Sequence, residues 1–367
     1  MLRSLRVGGA ALGAALLTVL LTGAPARADA ERDSQWYFAP MQLAKAQALG
    51  NGGEGVTVAV LDTGIDTTHQ DLHGATLPGY DTVHKAPSGS QDGGGHGTGI
   101  ATLIAGRGHG SGDGLLGVAP RSKVMAVTPA DDPVYAAEGI RWAVEHGAKV
   151  INMSFALPVG SDVMRRAVNE AVTADVVLVA ASGNEHQGVG MPASLPGVLA
   201  VGAVDRNNKV ADFSNFGKEL GLVAYGTQIP AARPHNTYTV RKGTSDSSAL
   251  VAGVAALIRA RYPDMSAAEV VDRLTRTATD RGAKGRDDYY GYGQVNPVAA
   301  LTAPRVKPSA TTTAPADAEV PTAHEPTPAT ETVDAGLPGW LFVVAIGVLV
   351  LIVVLAVVMI VRVRRNS

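Results

Sequence analysis

The sequence predicts an α/β domain built as a three-layer, doubly wound and mainly parallel sheet, followed by a C-terminal transmembrane helix. Three observations lead there. Short apolar runs rich in β-branched residues alternate with helix-like stretches through the middle of the chain. Asp62 and Ser154 follow directly on such runs and Asn184 closely on another, at the strand ends where α/β sheets gather their ligands. An uncharged segment long enough to cross a bilayer stands near the end of the chain.

The expected strands are Val56–Leu61, Lys123–Val127, Lys149–Met153, Val176–Ala181 and Val198–Val204. Their near-continuous apolar character fits parallel strands covered on both faces. Helical patterns fall between them, over Gly97–Ala105, Val134–His146, Asp162–Thr173 and Ser247–Tyr262. Ser266-Ala-Ala-Glu269 is a capping box that opens an amphipathic stretch over Glu269–Thr277.

The two ends of the chain read differently. Residues 1–28 carry Arg3 and Arg6 ahead of the apolar run Val7–Leu21, then the small-residue sites Ala26-Arg-Ala28 and Ala28-Asp-Ala30, which is the pattern of a secretory signal peptide. Residues 29–302 form the expected domain. Residues 303–339 are rich in Pro, Thr and Ala and fit an extended tether. Trp340–Val361 holds no charge and no proline and would span roughly 33 Å as a helix. Arg362, Arg364 and Arg365 in the tail 362–367 place that end in the cytoplasm and the domain outside the cell membrane.

Composition narrows the chemistry. Of 367 residues, 46% are hydrophobic and 17% charged, which allows a large core. There is no cysteine, so disulfides, thiolate metal sites and Cys nucleophiles are excluded. The net charge is −2 and no stretch is densely basic, so nucleic acid is not an expected partner. No His-Glu-x-x-His and no Gly-x-Ser-x-Gly occurs, which speaks against a zinc protease and an α/β-hydrolase elbow. Gly106–Gly114 lacks the ending of a phosphate loop and reads as a flexible loop.

Three segments stand out: Val60-Leu-Asp62-Thr-Gly-Ile-Asp66, Gly95-His96-Gly-Thr-Gly, and Lys242-Gly-Thr-Ser245-Asp-Ser-Ser-Ala. Each sets one reactive residue beside glycine at a strand end or helix start. Asp, His and Ser supply the three roles of a nucleophilic triad, and this chain order is the subtilisin order. Taken singly, Asp62 could be a turn residue, Ser245 a helix cap and Asn184 a loop residue. The other histidines, at 69, 73, 84, 109, 146, 186, 235 and 324, carry no motif and read as surface or packing residues.

With Val150-Ile-Asn-Met-Ser154, Ala180-Ala-Ser-Gly-Asn184, Phe213-Ser-Asn-Phe-Gly217 and Tyr289-Tyr-Gly-Tyr-Gly-Gln-Val-Asn296 in order along the chain, residues 35–300 resemble the subtilisin-like serine proteases, the subtilases. The resemblance implies a subtilisin-like fold and a serine endopeptidase acting on a protein or peptide. It gives Asp62, His96 and Ser245 the catalytic roles and Asn184 the oxyanion hole. Ser154, Phe155, Ala156 and Leu157 fall on the substrate-binding strand. Ala156 and Leu157 replace two glycines there, which implies a narrowed pocket that prefers small residues, unless Pro158 bends the strand away. The overall plan is similar to the mycosins, membrane-anchored subtilases of actinobacterial type VII secretion systems. That implies the secretion complex as a partner. The rivals are a mainly structural component of that complex and a general degradative exoprotease. No cofactor is implied for the reaction. Asp71 aligns with a calcium ligand of some subtilisins, although the loop after His96 lacks a convincing oxygen set. Few residues separate the signal site from the first strand, so the mature chain is expected to begin near Asp29 or Glu31 and to need no pro-domain cleavage.

Overall fold

Val58, Ala59, Val60 and Leu61 alternate their side chains between the two faces of a strand, and all four are buried. Such a strand must be covered on both sides. In the computed structural model, which describes residues 30–88, 91–128, 132–157 and 161–306, it lies at the middle of an eight-stranded sheet. The expected signal peptide, the tether beyond Val306, the membrane helix, the cytoplasmic tail and Pro158 lie outside the described residues. No helix among the described residues is long and apolar enough to cross a membrane.

The strands are β1 (Thr57–Leu61), β2 (Thr76–Asp81), β3 (Ala86–Ser88), β4 (Arg107–His109), β5 (Asp113–Leu116), β6 (Lys123–Thr128), β7 (Val150–Met153), β8 (Val177–Ala181), β9 (Val198–Val204), β10 (Leu220–Tyr225), β11 (Ile229–Arg233) and β12 (Thr237–Arg241). The helices are α1 (Ala30–Asp33), α2 (Leu43–Leu49), α3 (His96–Ala105), α4 (Pro133–Glu145), α5 (Asp162–Thr173), α6 (Thr244–Arg261), α7 (Ala267–Arg276) and α8 (Pro297–Thr302). The main sheet runs β10-β9-β8-β7-β1-β6-β2-β3, parallel throughout except for the antiparallel edge strand β3. Helices α3 and α6 pack together, as do α4 and α5, and the buried strands account for helices on both faces. β11 and β12 form a separate hairpin against α3.

All five expected strands are present within a residue or two. The capping box is formed, with Ser266 Oγ accepting from the Glu269 amide and the Glu269 carboxylate accepting from the Ser266 amide. Two expectations are corrected. Helix α6 begins at Thr244 rather than Ser247, so Ser245 lies inside its first turn and Gly243 is the cap residue. The helix is buried from Thr244 to Arg259, so it has no polar face whose periodicity would mark its start. Residues 106–114 are not simply a loop: β4 and β5 pair there as an antiparallel hairpin, anchored by Asp71.

Candidate active site

The parallel register aligns the carboxyl ends of three strands. Leu61 lies opposite Met153, and Met153 opposite Ala180. The residues that follow, Asp62, Ser154 and the Ser182–Asn184 turn, therefore emerge along one edge of the sheet. The starts of α3 and α6 meet that edge.

His96 is the first residue of α3, and its Nδ1 lies 2.7 Å from Asp62 Oδ1. Gly97 makes this approach possible, because a Cβ there would fall 2.1 Å from the Gly64 carbonyl oxygen and 3.0 Å from Asp62 Cβ. Asp62 is buried, and its Oδ1 also accepts the Thr63 amide at 2.8 Å. Its Oδ2 is buried and takes no hydrogen bond among the described residues. The carboxylate thus directs much of its charge at the imidazole. Burial depresses the His96 pKa, but the Asp62 hydrogen bond and charge outweigh it, and the net shift is upward.

Asp92 fixes the turn that delivers His96. Its Oδ1 accepts from the Gly95 amide at 2.8 Å and from the Thr63 hydroxyl at 2.7 Å, and its Oδ2 accepts from the Thr98 amide at 2.8 Å. The sequence reading missed Asp92; its only signal was an acid ahead of three glycines and a histidine.

On the opposite side, the Ser245 hydroxyl donates to the Ser154 carbonyl at 3.3 Å. Ser154 Oγ is turned inward, accepting from Asn152 Nδ2 at 2.7 Å and donating to the Ser245 carbonyl at 3.2 Å. Asn184 Oδ1 accepts from the Thr244 amide at 2.9 Å and from its hydroxyl at 3.0 Å. That fixes the amide so that Nδ2 remains a donor. A Cβ at Gly243 would lie 3.6 Å from Ser245 Oγ and 3.8 Å from Asn184 Nδ2, so hydroxyl and amide flank one small space. A helix start also presents backbone N–H groups that lack an intrahelical acceptor, and the positive end of a helix dipole. Such a site can hold a nucleophile, a base and donors for a developing oxyanion.

The segment after Ser154 stays against the neighbouring turn. The Leu157 amide donates to the Met191 carbonyl at 2.6 Å, and the Met191 amide returns a bond at 3.4 Å. Ala156 is exposed, and its Cβ lies 3.0 Å from where a Cβ at Gly190 would stand. Phe155 is half-buried, while Leu157 is buried in the core.

Asp71 is fully buried. Its Oδ1 lies 2.7 Å from His109 Nδ1, its Oδ2 accepts the Leu115 amide at 2.8 Å, and its own amide donates to His69 Nδ1 at 3.1 Å. Both carboxylate oxygens thus face nitrogen donors, a set that does not suit a calcium ion. His69 and His109, which carry no motif, both meet this residue, His69 at its backbone amide and His109 at its carboxylate.

Residues 53–293 match Peptidase S8, the subtilase family. The chain is 41% identical to subtilisin DY of Bacillus licheniformis over 266 residues, covering 70% of this chain and 94% of that protein. It is 40% identical to a subtilisin of Bacillus pumilus over 269 residues, covering 70% of this chain and 95% of the relative. A crystal structure of MycP1 with the N-terminal propeptide removed superimposes with a TM-score of 0.67 at 31% identity, covering 73% of this chain and 97% of that one.

Proposed function

The chain belongs to the subtilase family of serine peptidases, and from that premise we propose that it is a membrane-anchored, extracytoplasmic endopeptidase of the mycosin type, linked to type VII secretion. The observation that carries the catalytic reading is the 2.7 Å contact of His96 with buried Asp62 on the edge that also carries Ser245 and Asn184. The Ser245 hydroxyl turns from the Ser154 carbonyl and attacks the scissile carbonyl carbon while His96 Nε2 takes its proton. Asp62 holds the imidazole tautomer and stabilises the imidazolium. Asn184 Nδ2 and the Ser245 amide receive the oxyanion. His96 then gives the proton to the leaving amine, and water repeats the sequence on the acyl-enzyme. The Ser154–Ala156 segment pairs with the substrate backbone as an added strand, while the backbone of Leu157 stays paired with Met191. The reaction needs no cofactor, and the nitrogen donors on both Asp71 oxygens support a reading without calcium there. The membrane reading rests on the apolar segment Trp340–Val361, and the secretion reading on the similarity to MycP1.

A fluorophosphonate probe applied to the full-length chain in membranes tests the catalytic reading. One label per chain, lost in Ser245→Ala, is expected; labelling that survives Ser245→Ala overturns it. Inspection of the neighbouring genes for secretion-pore components tests the link to secretion.

A further inference from the structure

Arg241 is the last residue of β12, four positions before Ser245. Its Nη1 donates to the His96 carbonyl at 2.9 Å. Its Nε donates to Asp246 Oδ1 at 3.1 Å, and its Nη2 pairs with the same oxygen. His96 opens α3, and Asp246 stands in the first turn of α6, directly after Ser245. One planar fork therefore reaches both helix starts that carry the proposed base and nucleophile. The space for it comes from Gly99, where a Cβ would fall 2.5 Å from Arg241 Nη1. The two side chains are only 15% and 2% exposed. A buried ion pair is a poor device for stability alone, because desolvation offsets its attraction. Here the pair joins two elements whose relative placement sets a reaction distance.

We propose that the Arg241–Asp246 pair is a positioning strut that holds Ser245 in register with His96. This rests on the triad reading above, since without a reaction between those residues their spacing would have no consequence. The guanidinium meets geometric needs that an ammonium does not: it donates in fixed directions to a carbonyl and a carboxylate at once. The pair also sets the field at His96 in opposing senses, Arg241 disfavouring and Asp246 favouring the imidazolium, behind the larger effects of burial and Asp62. Among the described residues, charge near His96 also comes from Asp92, engaged by the turn ahead of α3, and from Arg233, whose Nε lies 3.6 Å from where a Cβ at Gly95 would be.

The test compares Arg241→Gln, Asp246→Asn, the double variant, Arg241→Lys and Gly99→Ala by melting temperature, kcat, KM and the pH profile of kcat/KM. Each single neutralisation is expected to lower kcat by roughly 10²-fold with little change in KM, the scale of a small misplacement of reacting groups. The acid limb should move up in Arg241→Gln and down in Asp246→Asn. In the double variant it should return toward the wild-type position while kcat stays low. Arg241→Lys and Gly99→Ala keep both charges, so they should lose kcat with the limb unmoved; they carry the test where Asp246→Asn does not fold. Folded variants with wild-type kcat overturn the strut, as does a limb that moves the same way in both neutralising variants. Ser245→Ala is the control that separates the two readings: activity surviving it sinks the triad, whereas a dead Ser245→Ala beside fully active Arg241 variants sinks the strut alone.

Discussion

His96 and Asp62 lie 34 positions apart in sequence and meet at 2.7 Å, with the carboxylate nearly inaccessible and the imidazole at the cleft. The Asp62 hydrogen bond and charge overcome burial and raise the imidazole pKa above its ordinary 6.5. A general base must be neutral, so kcat/KM should climb with pH through that raised pKa, with its acid limb above 6.5. Stability follows the opposite sense. A group whose pKa is higher in the folded state contributes stability in full below its unfolded pKa and loses it as pH rises through the folded one. Asp62→Asn should lower the limb and cut kcat by roughly 10⁴-fold. A limb at or below 6.5 in the unmodified enzyme would contradict the coupling.

Ser245→Ala should abolish turnover and leave the melting temperature within about 1–2 °C, since the hydroxyl makes one long bond to the Ser154 carbonyl. Asn184→Ala should lower kcat by roughly 10²–10³-fold with KM little changed, the cost known for removing such a donor in subtilisin. It also leaves the Thr244 amide without its side-chain acceptor, so a small loss of melting temperature should accompany it. Steady-state kinetics with a chromogenic peptide and calorimetry check both.

Cleavage should fall after small residues such as Ala in preference to Phe or Tyr. The Leu157–Met191 pairing keeps the segment on its path, and Ala156 stands directly against Gly190. Ala156→Gly should widen the preference toward larger residues, because a hydrophobic pocket discriminates about 1–3 kcal/mol per methylene. Adding Leu157→Gly should open it further but destabilise the protein by about 2–5 kcal/mol, since Leu157 is buried in the core. A peptide library decides; efficient cleavage after Phe by the unmodified chain rules out the narrowed pocket.

The active chain should retain the segment from Arg32 onward. Arg32 Nε donates to the Gly114 carbonyl at 2.7 Å, and Gln35 both donates to the Leu116 carbonyl and accepts its amide. Tyr37, Leu43 and Ala46 lie in the core. N-terminal sequencing of active protein should find a start near Asp29 or Glu31. A start beyond residue 50 would contradict this, because it removes those core side chains.

The sequence by itself determined the five central strands and singled out Asp62, His96, Ser245 and Asn184 as candidates. Those signals are local: a β-branched run marks a doubly buried strand, and a reactive residue among glycines marks where backbone must come close. Helix α6 kept its start hidden because every face of its first four turns is buried, so hydrophobic periodicity carried no boundary. What needed the tertiary structure were contacts set by packing. Among them are Asp71 against His109, Asp92 under the turn before His96, the burial of Leu157, and the Arg241 guanidinium reaching the His96 carbonyl across 145 positions. Nothing in the local chemistry of an arginine names its acceptors. They are chosen when a hairpin lands on two helix starts, at distances the chain reports only once it is folded.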